Sequence, residues 1–348
     1  MKKINFPKIK FIKTKPAKPG VVTQSNLEES RAAVLANGKK FRYPLQYAKH
    51  NLILMAIAIA IVATFFFVFV GWLELYHFNG TSEVDYRFTR ALPLPVAEVD
   101  GVKVRYSDYL MLFRSSIKSL ERQQGKLDDS KERARQREHY ERQAMDAAIA
   151  YTLALKILAD HGQEVSDQEI GEVVESHRLI DGEKRNEEAF AGIIANNFGL
   201  SLKDYRRLIK LSLAQKKAST ILDEEAQKLA DKLYQTLKQN NGDTAKAIAT
   251  LSEEERNRVN LDNLVDPVSF GNLDGGRAAK ASTLTKPGQI SKPFVSLNGE
   301  GYFIVKLTEK TDDKVRYDSV SVRFRAFDDL LAKLKSTQKI HEYIKLKK

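Results

Sequence analysis

Side chains suited to covalent, acid–base or metal chemistry are scarce in this 348-residue chain, and their spacing does not bring them together. There is no cysteine, which removes a thiolate nucleophile, a disulfide framework, Cys-ligated zinc and iron–sulfur clusters. The six histidines are His50, His77, His139, His161, His177 and His341, and no two stand three or four residues apart. A helical HExxH-type metal face is therefore missing. The sequence also lacks GxGxxG, GxxxxGKS/T and GxSxG, so dinucleotide, P-loop and hydrolase sites have no foothold. No metal and no organic cofactor is expected.

The charge pattern and one apolar run say more. Residues 1–50 hold 12 Lys/Arg against Glu28 and Glu29, so they carry +10 of the net +12. The rest is nearly neutral, and no nucleic-acid face is expected on a folded domain. Pro7, Pro16 and Pro19 lie among the lysines of a segment that cannot build a core. Residues 1–50 are expected to be a basic disordered tail with a short helix over 27–37. Leu52–Leu73 (LILMAIAIAIVATFFFVFVGWL) is 22 residues without a charge, about 33 Å as a helix, close to the thickness of a hydrocarbon core. It is too long, and too far from the N-terminus, for a cleaved signal core of about 7–15 residues. A single transmembrane helix is expected over 51–76, touching lipid through 52–73, with Trp72 and Tyr76 at one interface. The basic flank puts the N-terminus in the cytoplasm and the later residues outside it. The expected localisation is the cell membrane, single-pass, with extracytoplasmic C-terminal domains.

Beyond the span, 77–95 reads as a linker. Val96–Val104 (VAEVDGVKV) is two short strands around an Asp100-Gly101 turn. Ser107 is expected to cap a helix with Tyr109, Leu110, Leu112, Phe113 and Ile117 on its apolar face. The charged stretch 118–143 reads as a solvated surface. Met145, Ala148, Ile149, Leu153, Ile157 and Leu158 then mark an amphipathic helix ending near Gly162. Ser166–Glu169 is a capping box, a further helix covers 187–197, and Ser201–Asp204 caps another carrying Tyr205, Leu208, Ile209 and Leu213. Helices this short bury their stripes by packing on one another.

The ordered series VAEVDGVKV–RYSDYL, ALKILADHGQEVSDQEIGEVVE and NEEAFAGIIANNFGLSLKDYRRLIKLSLAQKK resembles the N-terminal chaperone domain of SurA and the corresponding parts of the PpiD and PrsA foldases, over about 96–218. Leu284-Thr-Lys-Pro-Gly-Gln-Ile-Ser-Lys-Pro293 followed by Gly301-Tyr-Phe-Ile-Val-Lys-Leu307 resembles the parvulin peptidyl-prolyl isomerase domain, over about 224–324. The resemblance implies a mainly α protein with an α+β C-terminal part: tail 1–50, transmembrane helix 51–76, linker 77–95, helical chaperone domain 96–222 and degenerate parvulin-like domain 223–348.

Parvulins stabilise a twisted prolyl amide in an apolar pocket beside paired histidines, lowering a barrier of about 18–20 kcal/mol. Here the second histidine position is Phe303, and the segment that supplies pocket Met and Phe is shortened to Arg277–Ala281. The first strand of the sheet has two candidates, Ser219–Leu222 and Val315–Val322. The second makes the sheet permuted or strand-swapped and puts Ser319 at the first histidine position. No catalytic residue is assigned; Phe270, Leu273, Phe294, Tyr302, Phe303 and Ser319 are the candidate remnant pocket.

The resemblance implies a membrane-anchored extracytoplasmic chaperone or foldase that binds unfolded or nascent secreted polypeptides, with weak or lost isomerase activity. The alternative is a non-catalytic envelope or secretion-channel scaffold. Whether the chain is an enzyme, its clients and its oligomeric state stay open at the level of sequence.

Overall fold

The computed structural model describes residues 24–125, 131–180, 183–264, 266–272 and 274–346. It divides into two compact units between Val70 and Gly71. The described part of the first unit is helix α1 (Gln24–Tyr76), 53 residues long, whose last turn belongs to the second unit. The 27 residues His50–Tyr76 are long and apolar enough to cross a membrane. The expected disordered tail is thus helical from Gln24 onward, and its residues 1–23 lie outside the described residues.

The second unit opens on the last turn of α1. Leu75 is fully buried and its carbonyl accepts a 2.8 Å hydrogen bond from the Tyr106 hydroxyl, while the Tyr76 hydroxyl donates to the Pro95 carbonyl at 2.6 Å. The expected linker is instead built into the fold. It contains α2 (Glu83–Ala91), opened by a Ser82–Asp85 capping box, with Tyr86 and Thr89 buried. The Phe88 ring lies so close to Gly71 that a Cβ there would meet it at 3.0 Å. A fragment beginning at residue 78 discards Leu75 and Tyr76. It is expected to be less stable than one beginning at residue 70 by about 2–5 kcal/mol, as for other buried large apolar side chains, read from denaturant midpoints.

Next come β1 (Pro95–Val99) and β2 (Val102–Arg105), joined through Asp100 and Gly101, both with positive φ, 45° and 81°. Five longer helices follow: α3 (Tyr106–Gln124), α4 (Lys131–Asp160), α5 (Asp167–His177), α6 (Glu187–Phe198) and α7 (Leu202–Leu222). Two-residue strands β3 (Leu179–Ile180) and β4 (Glu183–Lys184) pair between α5 and α6. Ser166 and Ser201 accept from the backbone N–H of Glu169 and Asp204, so both expected caps form. Ser107 does not cap α3. The helix starts two residues earlier, at Tyr106 after Arg105, without a side-chain cap, and Ser107 is buried. Tyr76, Tyr106, Tyr109 and Phe113 form a ring ladder with successive centroids 5.8, 5.7 and 6.3 Å apart. Arg207 of α7 clamps Asp108 of α3 bidentately at 2.5 and 2.6 Å.

The chain then builds α8 (Glu224–Gln239), α9 (Thr244–Ala249), α10 (Glu253–Arg256), β5 (Val259–Asn263), β6 (Val268–Ser269), α11 (Arg277–Ser282), β7 (Phe294–Val295), β8 (Gly301–Lys310) and β9 (Lys314–Arg323). The strands make one antiparallel sheet in the order β5-β9-β8-β7, with β6 also paired to β9. Ser219–Leu222, one of the two candidates for the missing strand, is the end of α7. The other candidate takes the place: β9 runs along β8 from Gly301↔Arg323 to Lys310↔Val315.

The expected boundary that gave 223–348 to the C-terminal module is too inclusive. Helix α12 (Ala326–Ser336) and strand β10 (Ile340–Glu342) return to the helical body. Phe327, Leu334 and Ile344 are buried in its core, and β10 extends the β1–β2 hairpin through Val99↔Ile340 and Ala97↔Glu342. Phe327, Leu334 and Ile344 bury their apolar side chains by joining the helical core, which draws the chain back.

Candidate functional site

Side chains alternate along β8, and the two faces of the sheet bury different layers. Tyr302 and Ile304 join Val320, Val322 and Phe324 against Leu229, Leu233 and Leu237 of α8. Val305 and Leu307 join Val315 and Tyr317 against Ala278 and Ala281 of α11, with Phe270 and Phe294 at the margin.

The candidate residues separate accordingly. Phe294 and Phe303 face each other across β7 and β8, with ring centroids 6.1 Å apart. Ser319 stands opposite Val305 on β8 and Asp262 on β5. Tyr302 does not share this face. It packs edge-on against Phe324 at 5.3 Å, in the α8 layer. Phe270 packs at the far end of the α11 layer, with the Lys310 ammonium 5.9 Å from its ring centre. Leu273 lies outside the described residues.

An arginine sequence reasoning had not placed occupies the centre. Arg277, the first residue of α11, holds its guanidinium 5.1 Å from the Phe303 ring centre. It pairs with Asp262 of β5, donates to Ser319 Oγ at 3.3 Å and donates to the Asp274 carbonyl at 2.8 Å. The Asp274 carboxylate accepts from the α11 backbone at Ala278, 3.1 Å, and from the Tyr317 hydroxyl. Burial, then the Asp274 hydrogen bond, push the Tyr317 hydroxyl well above its ordinary range. Arg277 was visible in sequence as the start of a shortened segment, but its partner Asp262 reaches it through strand pairing across β9, which no local spacing reveals.

The chemistry open to this arrangement is narrow. The Asp262 carboxylate is taken up by the Arg277 guanidinium, so what the cluster presents is a charge pair lying over an aromatic ring. Among the described residues, no three His, Asp or Glu side chains converge on a metal-sized site. The arrangement is an aromatic face carrying a charged strap.

Two family models match the chain. The first, described as SurA-like N-terminal domain, covers residues 44–219, more than half of the length. The chain belongs to the SurA-like N-terminal domain family. The second, a PPIC-type PPIASE domain, covers residues 209–309. A SurA-like domain followed by a parvulin-type domain is the composition of a chaperone or foldase. No curated protein matches the chain. The isomerase-domain match ends before β9, so the strand that completes the sheet lies beyond it. The SurA-like match takes in α2, in keeping with burial of that helix in the helical core.

Proposed function

We propose that this protein is a membrane-anchored extracytoplasmic chaperone that holds unfolded secreted polypeptides and has lost parvulin-type isomerase activity. The observation that carries the loss is the Arg277–Asp262 ion pair drawn over Phe303, where a prolyl ring would need an open apolar floor. Neither expected histidine position holds an imidazole: one is Phe303, the other Ser319. The membrane reading rests on His50–Tyr76, and the orientation on the basic residues that precede it in the sequence.

With the full chain in lipid nanodiscs, a protease-coupled prolyl-peptide assay is expected to show relaxation on the spontaneous scale of tens to hundreds of seconds. Efficient turnover would overturn the loss of catalysis. Suppression of aggregation of several unrelated unfolded proteins is the expected holding activity. Binding to a single folded partner instead would make the protein a scaffold. A reporter fused after residue 346 is expected to act as an extracytoplasmic one, and cytosolic behaviour would reject the assigned orientation.

A further inference from the structure

A second feature adjoins this sheet, and neither the family match nor the isomerase comparison assigns it a role. A cleft of about 470 Å³ separates α7 from the sheet, with Ser219 and Lys216 on one wall and Asn260, Phe303 and Ser321 on the other. The side chains of Ser219, Asn260 and Ser321 make no hydrogen bond among the described residues, although Ser219 is 5% exposed. Asn260 is exposed and Ser321 half-buried, so their side chains face the cleft with hydrogen-bonding capacity to spare.

Four charged residues line the cleft: Lys216, Arg323, Glu300 and Asp328. The last three are exposed, although burial and then the neighbouring Asp329 raise the Asp328 carboxyl above its ordinary range. Lys216 alone is half-buried, and it has no carboxylate within ion-pair distance among the described residues. Its stem is fixed by a close approach of the β7–β8 turn, where a Cβ on Gly299 would come within 3.3 Å of Lys216 Cβ. Burial pushes its ammonium down from the ordinary lysine range, the signature of a cation short of a counter-charge. The cleft therefore holds one half-buried ammonium beside hydrogen-bonding side chains, with Phe303, Phe324 and Phe327 in its lining.

We propose that this cleft binds a polypeptide carboxylate, with the Lys216 ammonium as its counter-ion and the Asn260, Ser219 and Ser321 side chains bonding the adjoining main chain. This rests on the chaperone reading and gives it a preference: client segments bearing Asp or Glu, or a free chain end, engage here. A carboxylate supplies the charge-assisted bond that Lys216 lacks.

The test uses the full chain in nanodiscs and three labelled ten-residue peptides: one with a central Glu and an amidated end, its Gln twin, and the Gln twin with a free C-terminus. Because the chain has no cysteine, a benzophenone placed through Asn298→Cys, on the exposed rim of the cleft, reports the cleft, and one through Glu224→Cys reports a distant surface. The Glu peptide is expected to bind about tenfold tighter than the amidated Gln twin, and to crosslink from position 298 but not 224. The free-ended peptide shows whether a terminus serves as well as a side chain. Lys216→Gln is expected to erase the difference and Lys216→Arg to retain it, with unchanged thermal unfolding in both. Equal affinity for all three peptides, or a preference that survives Lys216→Gln, overturns the proposal. A holding activity that persists with no carboxylate preference sinks this site alone. Loss of all binding to unfolded proteins while the Glu peptide still crosslinks sinks the chaperone reading alone.

Discussion

Asp223→Ala is expected to lower the unfolding free energy by about 3–5 kcal/mol, the cost of stripping one partner from a buried ion pair. Asp223 is 2% exposed and sits where α7, α8, α12 and the sheet meet. Arg258 Nη2 donates to both of its oxygens at 2.6 Å. The backbone N–H groups of Ala226, Arg325 and Ala326 donate to it at 3.0, 2.7 and 3.2 Å. Removing the carboxylate leaves the Arg258 side chain, 11% exposed, beside three unpaired N–H groups. Asp223→Asn keeps the shape and loses the charge, so it is expected to fall between the wild type and the alanine variant. The pH dependence has a definite sign. Burial alone would raise the carboxyl, but Arg258 and the backbone donors more than offset it and hold the folded value below the ordinary 3.8. The contribution is thus complete above pH 3.8 and lost as pH falls through the lower folded value. Urea midpoints of the wild type and Asp223→Ala should converge below that pH. A constant gap down to the acid limit would contradict the assignment.

The second large effect is expected at Gly301, the first residue of β8. A Cβ there would lie 2.1 Å from the Val322 carbonyl oxygen and 3.0 Å from the Arg323 Cα, both backbone atoms of β9. Neither can move without opening the β8–β9 ladder. Gly301→Ala is expected to cost at or above the roughly 3 kcal/mol that marks the upper usual range for overpacking. Gly288→Ala is the control: its φ is +85°, with nothing within 4 Å of the added Cβ. It is expected to lose about 1–2 kcal/mol, from backbone strain alone. Denaturant midpoints of the two variants decide the matter, and equal losses would mean that the close approach at Gly301 is relieved cheaply.

The parts of this fold legible in sequence are those governed by local rules. The apolar run at 52–73, the Asp100-Gly101 hairpin and the Ser166 and Ser201 caps each depend on neighbours a few residues away. Helix α2 was missed because Asn79–Ser82 and the prolines at 93 and 95 signal loop, while what stabilises it is burial of Tyr86 and Thr89 under distant side chains. The strand completing the sheet stayed ambiguous because Ser219–Leu222 and Val315–Val322 are both short runs that mix polar and β-branched residues. Only long-range pairing with β8 separates them. One error was avoidable. Adjacent residues on a strand point to opposite faces, so Tyr302 and Phe303 cannot line one pocket. The Arg277–Asp262 strap and the Lys216 cleft were not legible, since each joins elements that meet only after the sheet has formed.

The return of α12 and β10 to the helical body sets an order of events during synthesis. Leu334 and Ile344 fill its core and Ile340 pairs with Val99, across 241 positions of chain. Until those residues have left the ribosome, the β1 edge stays unpaired and the α7 surface that packs against α12 stays uncovered. The intervening α8–β9 module contains all of its own sheet strands and can form first. The growing protein therefore exposes apolar surface of its own for most of its translation. A chaperone built this way is itself a client until its last strand docks.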